Sequence, residues 1–497
     1  MLLAASALLL LGLFVPLISY NIALFKRKPL SVILSFGIVI FSISLVIVSP
    51  TNLQFFSILL LIIAIYQLFN LYRFNKSHIN LKHLRLITQR SGFRLWAFQL
   101  GIALISLFFY YSDLKLNIEL VLGVLCDFFG FSLFLSIWRS RNITKRVSSS
   151  SKFIASNELP TLSVAIPARN ESESLLNCLA SILKNDYPKL EVFVLDDSST
   201  DRKTPQIIRS FAHDGVEFIP GKEFSDQWLA KNWAYQQLLE AANGELILFC
   251  GADVRLSEDS LRFLVSSLVS RDKQMLSVMP NNELPVSFRQ RFFQPLRYAW
   301  EIGIPRRSLR RPPVLPTCWL ARREFLNNNG GFKAVRRRIS PESYFAKQAL
   351  KADGYSFFRY AGILSQKPNS EQFETSVRLR YPQLHRQVES VMFATLVELL
   401  GGIASLALLV LAITSFNLPV LMISLIAYIF IGVAFSMLLS LTYQKTIFSG
   451  FFLWPLYLAL DIYLMNFSMW RYEFGVVLWK ERSIAPSVMH HDIRTIG

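Results

Sequence analysis

The sequence is poor in charged residues and in cysteine, and each shortage excludes some classes of protein. Only 17% of the 497 residues are charged, whereas 52% are apolar, and the apolar residues gather into long uncharged runs. A soluble enzyme of this length shows fewer such runs, so the composition predicts an integral membrane protein. The four cysteines include no pair at the spacing of metal ligands, so they indicate neither a disulfide framework nor a zinc site.

Acidic residues are scarce as well, and the chain is strongly basic. It carries 52 Lys and Arg against 34 Asp and Glu, a net charge of +18. Such an excess can indicate nucleic-acid binding. Here, however, the basic residues cluster beside apolar segments, where membrane topology and anionic lipid headgroups favour them. We therefore predict the membrane as a partner and no nucleic acid.

Eight apolar segments are long enough to cross a bilayer. They are residues 2–20, 31–49, 53–72, 95–112 and 117–138, and then 391–414, 418–441 and 448–469. Among the first five, clusters of basic residues follow the odd-numbered crossings only. The positive-inside rule then predicts a multi-pass inner-membrane protein whose amino terminus is outside and whose central domain is cytoplasmic.

The basic carboxyl-terminal tail conflicts with this count. Three crossings after the central domain leave the tail outside, yet Arg471, Lys480, Arg482 and Arg494 favour the inside. Either one segment is interfacial or re-entrant, or the charge of a short tail is overridden. The sequence leaves both alternatives open.

The polar centre of the chain alternates between strand and helix patterns. Apolar runs at residues 162–167, 191–195 and 245–250 each end in acidic or small polar residues, and a helical pattern follows. This pattern predicts a parallel sheet that presents ligand groups at the carboxyl ends of its strands. We divide the chain into a membrane domain of about five helices (1–147), a central domain (148–386) and a second membrane domain of about three helices (387–497).

Two motifs at strand ends carry a family resemblance. Residues 162–171 read LSVAIPARNE and residues 194–201 read VLDDSSTD, which together resemble the opening of a family 2 glycosyltransferase with the GT-A fold. Residues 227–234, QWLAKNWA, are similar to the G-W-x-G-K-x-W-A signature of the membrane enzymes called hopene-associated glycosyltransferases. Residues 379–382, LRYP, and 479–482, WKER, also resemble that subgroup.

The resemblance covers roughly residues 160–485, and it implies a Rossmann-like α/β domain with a mostly parallel sheet, set between two blocks of transmembrane helices. It implies a hexosyltransferase-type, metal-dependent enzyme that moves a sugar, with inversion, from a nucleotide-diphosphate sugar to a lipid-soluble acceptor. By the same resemblance, the donor binds at Pro167, Ala168, Arg169, Asn170, Glu171, Asp196, Asp197, Lys231, Ala252 and Asp253. An ordinary surface lysine is the alternative for Lys231, but the neighbouring Trp228 and Trp233 favour the donor role.

Asp253 is the candidate metal ligand. The family carries D-x-D here, whereas this chain reads Gly251-Ala252-Asp253. One carboxylate, two phosphate oxygens and waters can hold Mg²⁺ or Mn²⁺, because magnesium sites often use only one or two protein carboxylates. The alternative is that Asp253 caps the helix predicted to begin near Ser257.

Glu342 is the candidate catalytic base. The family takes the acceptor proton with the second residue of an E-D or D-D pair about a dozen residues before a glycine. Counting back from Gly354 gives Glu342-Ser343. Serine cannot act as that base at neutral pH, so either Glu342 reaches the acceptor after a displacement of Ser340-Pro341, or the acceptor is acidic enough to need little help. The alternative is that Glu342 stabilises the amino end of a helix that begins at Pro341.

Three further basic or aromatic features are assigned to the acceptor or to the membrane. Arg338 precedes Glu342 and is a candidate to bind an anionic acceptor or the departing diphosphate. Arg380 and Tyr381 stand where the family has Q-x-x-R-W, with Val377 at the Gln position. Residues 288–311 interleave arginines with aromatics, which predicts an interfacial segment with aromatics at headgroup depth, or simply a basic solvated face.

Two alternative functions remain open at this stage. The altered D-x-D and E-D positions also fit a catalytically degenerate membrane scaffold or partner subunit, because a fold can outlast its chemistry. A polysaccharide synthase is the other alternative, although it would need a channel lined by the spans and an intact Q-x-x-R-W element.

Overall fold

The computed structural model describes residues 58–69, 118–148, 153–223, 228–282, 287–303, 312–365, 371–443 and 447–475, with short pieces at 94–95, 97–98, 101–102, 445, 477–479 and 482–485. The spans predicted at 2–20 and 31–49, and much of those at 53–72 and 95–112, lie outside these residues. An apolar helix, Ile58–Phe69, belongs to the third predicted span.

One mixed sheet of eight strands forms the centre of the molecule, in the order β3-β2-β1-β4-β7-β6-β8-β5. Strands β3, β2, β1 and β4 are parallel, β7 is antiparallel to both of its neighbours, and β5 is antiparallel to β8. The strands are β1 (Leu162–Ala168), β2 (Leu190–Asp196), β3 (Val216–Pro220), β4 (Leu246–Cys250), β5 (Val254–Leu256), β6 (Met275–Asn281), β7 (Cys318–Arg322) and β8 (Tyr355–Ser365). The three strands predicted from sequence are β1, β2 and β4, displaced by one residue at most at either end.

Continuous apolar runs form the central strands because both faces of the sheet are covered. In β1, Val164 and Ile166 pack on one face, whereas Ala165 packs on the other with Phe249 and Trp319. Successive side chains of a strand point to opposite faces, so a strand buried on both faces has no polar alternation.

The helices fall into those of the α/β domain and the apolar helices, which are called the membrane block here for their composition alone. Around the sheet lie α2 (Glu173–Leu183), α3 (Lys203–Ser210), α4 (Ala230–Ala241), α5 (Ser260–Val269), α6 (Phe288–Tyr298), α7 (Arg323–Asn328), α8 (Pro341–Lys351) and α9 (Glu371–Gln383). The others are α1 (Ile118–Ser148), α10 (Val388–Glu398), α11 (Ala404–Thr414), α12 (Leu418–Tyr443) and α13 (Gly450–Phe474), and a short hairpin of β9 (Val477–Trp479) and β10 (Arg482–Ala485) follows.

Within the described part of the chain, four helical segments have the length and apolar composition needed to cross a bilayer. They are Ile118–Arg141, Val388–Thr414, Leu418–Tyr443 and Gly450–Phe474. They coincide with the predicted fifth span and with the three predicted after the central domain. The α/β domain therefore lies, in the chain, between α1 and the helices α10–α13.

Two prolines create the hydrogen-bond acceptors through which α6 and α9 dock on the membrane helix α13. Proline has no N–H, so the carbonyl four residues earlier in a helix loses its partner. Pro295 frees the Arg291 carbonyl, which accepts a 2.9 Å hydrogen bond from the Tyr457 hydroxyl. Pro382 frees the Arg378 carbonyl, which accepts a 2.8 Å bond from Tyr472.

We expect Tyr457→Phe and Tyr472→Phe each to lower the free energy of unfolding by about 1–3 kcal/mol, because each change leaves a partly buried carbonyl without a donor. Thermal unfolding of the purified protein in detergent measures this. Tyr463→Phe on the same helix is the matched control, since Tyr463 is 50% exposed. Equal melting temperatures for all three variants would contradict the docking role.

Candidate functional site

The loops after β1 and β2 are tied together at one edge of the sheet. Arg169 Nη1 donates to the carbonyls of Asp197 and Ser198, at 2.7 and 2.6 Å. Asn170 Oδ1 accepts from the Thr200 N–H at 2.8 Å, and the Asp197 N–H donates to the Ala168 carbonyl at 2.8 Å. The predicted donor residues Pro167 to Asn170 thus lie beside Asp197, as the parallel pairing of β1 and β2 requires.

Several of these side chains shape the loops. Arg169 is buried beneath the loops that it holds. The Asp196 carboxylate accepts the Ser199 N–H at 3.2 Å, and the Glu171 carboxylate accepts the Ser174 hydroxyl at 3.2 Å in the first turn of α2. Asp197 is also buried. We infer that this edge is stabilised by its own polar contacts before any ligand binds.

Asp253 lies just beyond β4, half-buried, with the buried Ala252 before it. Its Oδ2 accepts the Ser365 hydroxyl at 3.2 Å. A Cβ built on Gly251 would come within 2.6 Å of Asp253 Oδ1, so the carboxylate folds over the glycine that replaces the first acid of D-x-D. Helix α5 begins at Ser260 with Asp259 as its N-cap residue, so Asp253 does not cap that helix.

The donor set at this point is a single carboxylate. Among the described residues, no three His, Cys, Asp or Glu side chains gather closely enough to hold a metal ion. A hard divalent cation bound to Asp253 must therefore take its other oxygen ligands from phosphates and water, which is the ordinary composition of a Mg²⁺ site on a nucleotide. The residues present fit Mg²⁺ or Mn²⁺ in that form.

Lys231 and Glu342 meet in the cleft. Lys231 is in the first turn of α4 and Glu342 in the first turn of α8, and Lys231 Nζ lies 3.6 Å from Glu342 Oε2. Glu342 is 2% exposed. Burial lowers the pKa of Lys231, the Glu342 charge partly offsets this, and the positive charges of Arg378 and Arg297 lower the pKa further.

Tyr235 connects this ion pair to the end of β4. Its ring lies 5.2 Å from Lys231 Nζ and packs on Phe249. Burial raises the pKa of its phenol, and the charges of Glu342 and Asp253 raise it further. Tyr235 thus lies between the Lys231–Glu342 pair and Phe249 of β4, the strand that leads to Asp253.

Asn232 positions the turn that leads into α8. Its amide donates to the carbonyls of Val335, Arg336 and Arg338, at 2.8, 3.2 and 2.8 Å. Arg338 is itself exposed, and its guanidinium lies over the Tyr344 ring at 5.2 Å. The K-N-W segment therefore holds the arginine turn and the start of the Glu342 helix in one arrangement.

Arg380 and Tyr381 lie away from the cleft, against the membrane block. Arg380 is 1% exposed, and its guanidinium pairs with Asp461 of α13 at 2.7 Å. Tyr381 is buried, and its N–H donates to the Ser468 hydroxyl at 3.0 Å. Residues two apart on a helix point in nearly opposite directions, so Arg378 is the arginine of α9 whose charge reaches Lys231.

The arginine- and aromatic-rich segment packs largely on protein. Of residues 288–311, the structure describes 288–303, and Phe292, Phe293 and Trp300 are buried. Phe292 lies 4.8 Å, centroid to centroid, from Tyr457 of α13, whereas Phe288 is exposed. These aromatics were predicted at lipid headgroups, and they instead contact the membrane helices because α6 docks on them.

A family model identifies part of this domain. Residues 163–330 match the model described as Glycosyl transferase family 2. The match contains the ends of β1, β2 and β4, with Asp197, Lys231 and Asp253. With the strand order above, it confirms the predicted fold class, a mostly parallel mixed sheet of the GT-A type set between blocks of apolar helices.

Curated relatives match a part of the chain as well. A beta-monoglucosyldiacylglycerol synthase of Nostoc sp. is 26% identical over 181 residues, which is 36% of this chain and 35% of the relative. A 4,4'-diaponeurosporenoate glycosyltransferase of Staphylococcus aureus is 32% identical over 122 residues, 24% of this chain and 32% of the relative. The chain thus spans about a third of the length of these relatives.

Solved structures also resemble the chain. A mannosyltransferase of Pyrobaculum calidifontis, in complex with GDP-Man and Mn²⁺, is 20% identical with a TM-score of 0.46, covering 71% of this chain and all of that one.

The sequence predicted Asp253, Lys231 and Glu342 but missed four residues around them, namely Tyr235, Asn232, Arg297 and Arg378. Asn232 lies within the K-N-W part of residues 227–234, so the motif could have identified it. The sequence assigns Arg297 to the lipid interface with the rest of residues 288–311, and Arg378 is not part of the Q-x-x-R-W pattern.

Proposed function

We propose that the protein transfers a hexose, with inversion, from a nucleotide-diphosphate sugar to a lipid-soluble acceptor at the cytoplasmic face of the inner membrane. The observation that carries this is the Lys231–Glu342 pair beside Tyr235, whose ring packs on Phe249 of β4, the strand that leads to Asp253, in a domain matching family 2 and joined to apolar helices.

The donor occupies the edge of the sheet where β1, β2 and β4 end. Pro167 to Asn170 and Asp197 hold the nucleotide, and Asp253 faces the diphosphate. A Mg²⁺ or Mn²⁺ on Asp253 would neutralise charge on the diphosphate and so improve the leaving group. Lys231 adds a positive charge on the same side, and its attraction to phosphate oxygens is stronger in a low-dielectric site than in water.

Glu342 takes the proton of the acceptor hydroxyl. As the hydroxyl oxygen bonds to the anomeric carbon, the bond from that carbon to the diphosphate oxygen breaks, and the proton passes to Glu342. Because Ser343 cannot replace the usual acid and Asp253 is assigned to the metal, Glu342 is the carboxylate assigned to this role. Lys231, 3.6 Å away, holds the Glu342 carboxylate in place.

An acceptor dissolved in the bilayer reaches the cleft laterally, along the junction of α6 and α9 with α13. Arg380 and Tyr381 serve the acceptor side by fixing α9 on that helix. Two relatives named for a diacylglycerol glycolipid and for diaponeurosporenoate support a lipid acceptor. The hopene-associated subgroup stays a prediction from residues 227–234.

Gly251 and Ser343 favour one other candidate, a catalytically degenerate membrane scaffold. The two candidates differ in donor binding. Full-length protein in nanodiscs with Mn²⁺, titrated with a panel of UDP- and GDP-sugars, should be stabilised by one donor and should transfer its radiolabelled sugar to extracted lipids. Stabilisation by none of them would favour the scaffold.

A further inference from the structure

Arg297 is a buried cation with incomplete hydrogen bonding. It is 7% exposed, and its Nε and Nη2 have no hydrogen-bond acceptor within the described residues. Two buried guanidinium nitrogens without acceptors are costly, so native proteins retain them only where something compensates for the cost. An anion that binds to the folded protein is such a compensation.

The surroundings of Arg297 carry an excess of positive charge. The positive charges of Arg297 and Arg378 lower the pKa of Lys231, and the negative charge of Glu342 raises it. Glu342 is the one carboxylate that acts on Lys231 beside these two arginines, and an excess of cations of this kind favours a phosphate ligand. The planar arginine fork suits phosphate oxygens particularly well.

The cluster lies where the donor cleft meets the membrane block. Lys231 comes from α4 at the cleft, whereas Arg297 and Arg378 come from α6 and α9, both docked on α13 through tyrosine hydroxyls. The Leu296 carbonyl, next to Arg297, accepts from Arg380 Nη2 at 3.1 Å, which further fixes α6 on α9. A phosphate bound here would touch both halves of the molecule.

We propose that Arg297 and Arg378, with Lys231, form a phosphate-binding site at this junction. The phosphate belongs either to the nucleotide diphosphate or to a lipid phosphate in the bilayer. If the phosphate is that of the nucleotide diphosphate, this site rests on the proposed function; if it is a lipid phosphate, it does not.

The test uses full-length protein in phosphatidylcholine nanodiscs. Calorimetric titration with UDP, GDP and inorganic diphosphate measures the first source, and thermal unfolding with and without phosphatidic acid in the nanodisc measures the second. We expect Arg297→Met to weaken binding of the effective ligand about 10- to 100-fold, because it removes charge-assisted hydrogen bonds. Arg297→Lys, which retains the charge without the fork, should bind with intermediate affinity.

A purely structural Arg297 gives different results. The proposal expects the Met variant, without ligand, to melt at the same temperature as the native protein or higher, because an uncompensated charge has been removed. A lower melting temperature with unchanged ligand affinity would overturn it. The exposed Arg209, on α3, supplies the control Arg209→Met, which should change neither quantity.

Failure here is distinguishable from failure of the proposed function. If the protein transfers sugar but substitution of Arg297 or Arg378 leaves ligand affinity unchanged, the site is refuted and the proposed function is not. Arginine-dependent phosphate binding without transfer of any sugar refutes the function and supports the site.

Discussion

Asp253→Ala should reduce sugar transfer roughly 10³-fold, because a bound divalent cation contributes several kcal/mol of charge stabilisation to a departing diphosphate. The single carboxylate makes the effect large, since no second acid stands at Gly251 to retain the metal. Initial rates at saturating donor and Mn²⁺ measure it. The free energy of unfolding should change by less than about 1 kcal/mol, because one 3.2 Å bond from Ser365 is lost from a half-buried position.

Asp259→Ala is the matched control for this change. Asp259 is exposed and makes no side-chain capping bond, so its loss should leave the rate unchanged. A rate for Asp253→Ala within about threefold of the native value would remove Asp253 from the metal site. Asp253→Asn, which keeps the size and the Ser365 contact, should be nearly as inactive as the alanine variant.

Glu342→Gln should lower the turnover number by about 10²–10⁴-fold, the usual contribution of a general base. The change also removes the negative charge that pairs with Lys231, while the positive charges of Arg297 and Arg378 remain. The free energy of unfolding therefore falls as well, so a lower rate alone does not identify Glu342 as a base. Glu342→Asp resolves this, because it keeps the negative charge and withdraws the carboxylate by one methylene.

The aspartate variant separates the two roles predicted for Glu342. A base displaced by about 1 Å loses on the order of 10² in rate, whereas a carboxylate that only stabilises a helix terminus or an ion pair tolerates the change. Rates are compared with thermal unfolding for both variants. Glu324 supplies the control, since it is exposed in the first turn of α7. Near-native turnover by Glu342→Asp would assign Glu342 to the helix and the ion pair.

The strand ends and the apolar spans were predictable because their signals are local. A buried parallel strand reads as an uninterrupted apolar run, and acids such as Asp196 and Asp253 follow directly where the run stops. The same holds for Leu418–Tyr443, where length and composition suffice.

The acceptor-side residues were harder to predict from the sequence, because a motif match does not specify which face of a helix points towards the site. Matching Q-x-x-R-W selected Arg380, which the structure pairs with Asp461, whereas the charge that acts on Lys231 is that of Arg378, two residues earlier. The rotation of α9 is set by its docking on α13, through Tyr472 on the Arg378 carbonyl and Ser468 on the Tyr381 N–H. No local pattern encodes those contacts.

The sequence by itself determined the sheet edge, the lone carboxylate after β4 and the apolar helices on either side of the domain, because each depends on neighbours within a few residues. Only the tertiary structure decided that Lys231 meets Glu342 and that Arg297 and Arg378 join them. Those residues lie on four different helices, and their charges come together only when the sheet and the α13 docking contacts fix where each helix begins and which way it faces.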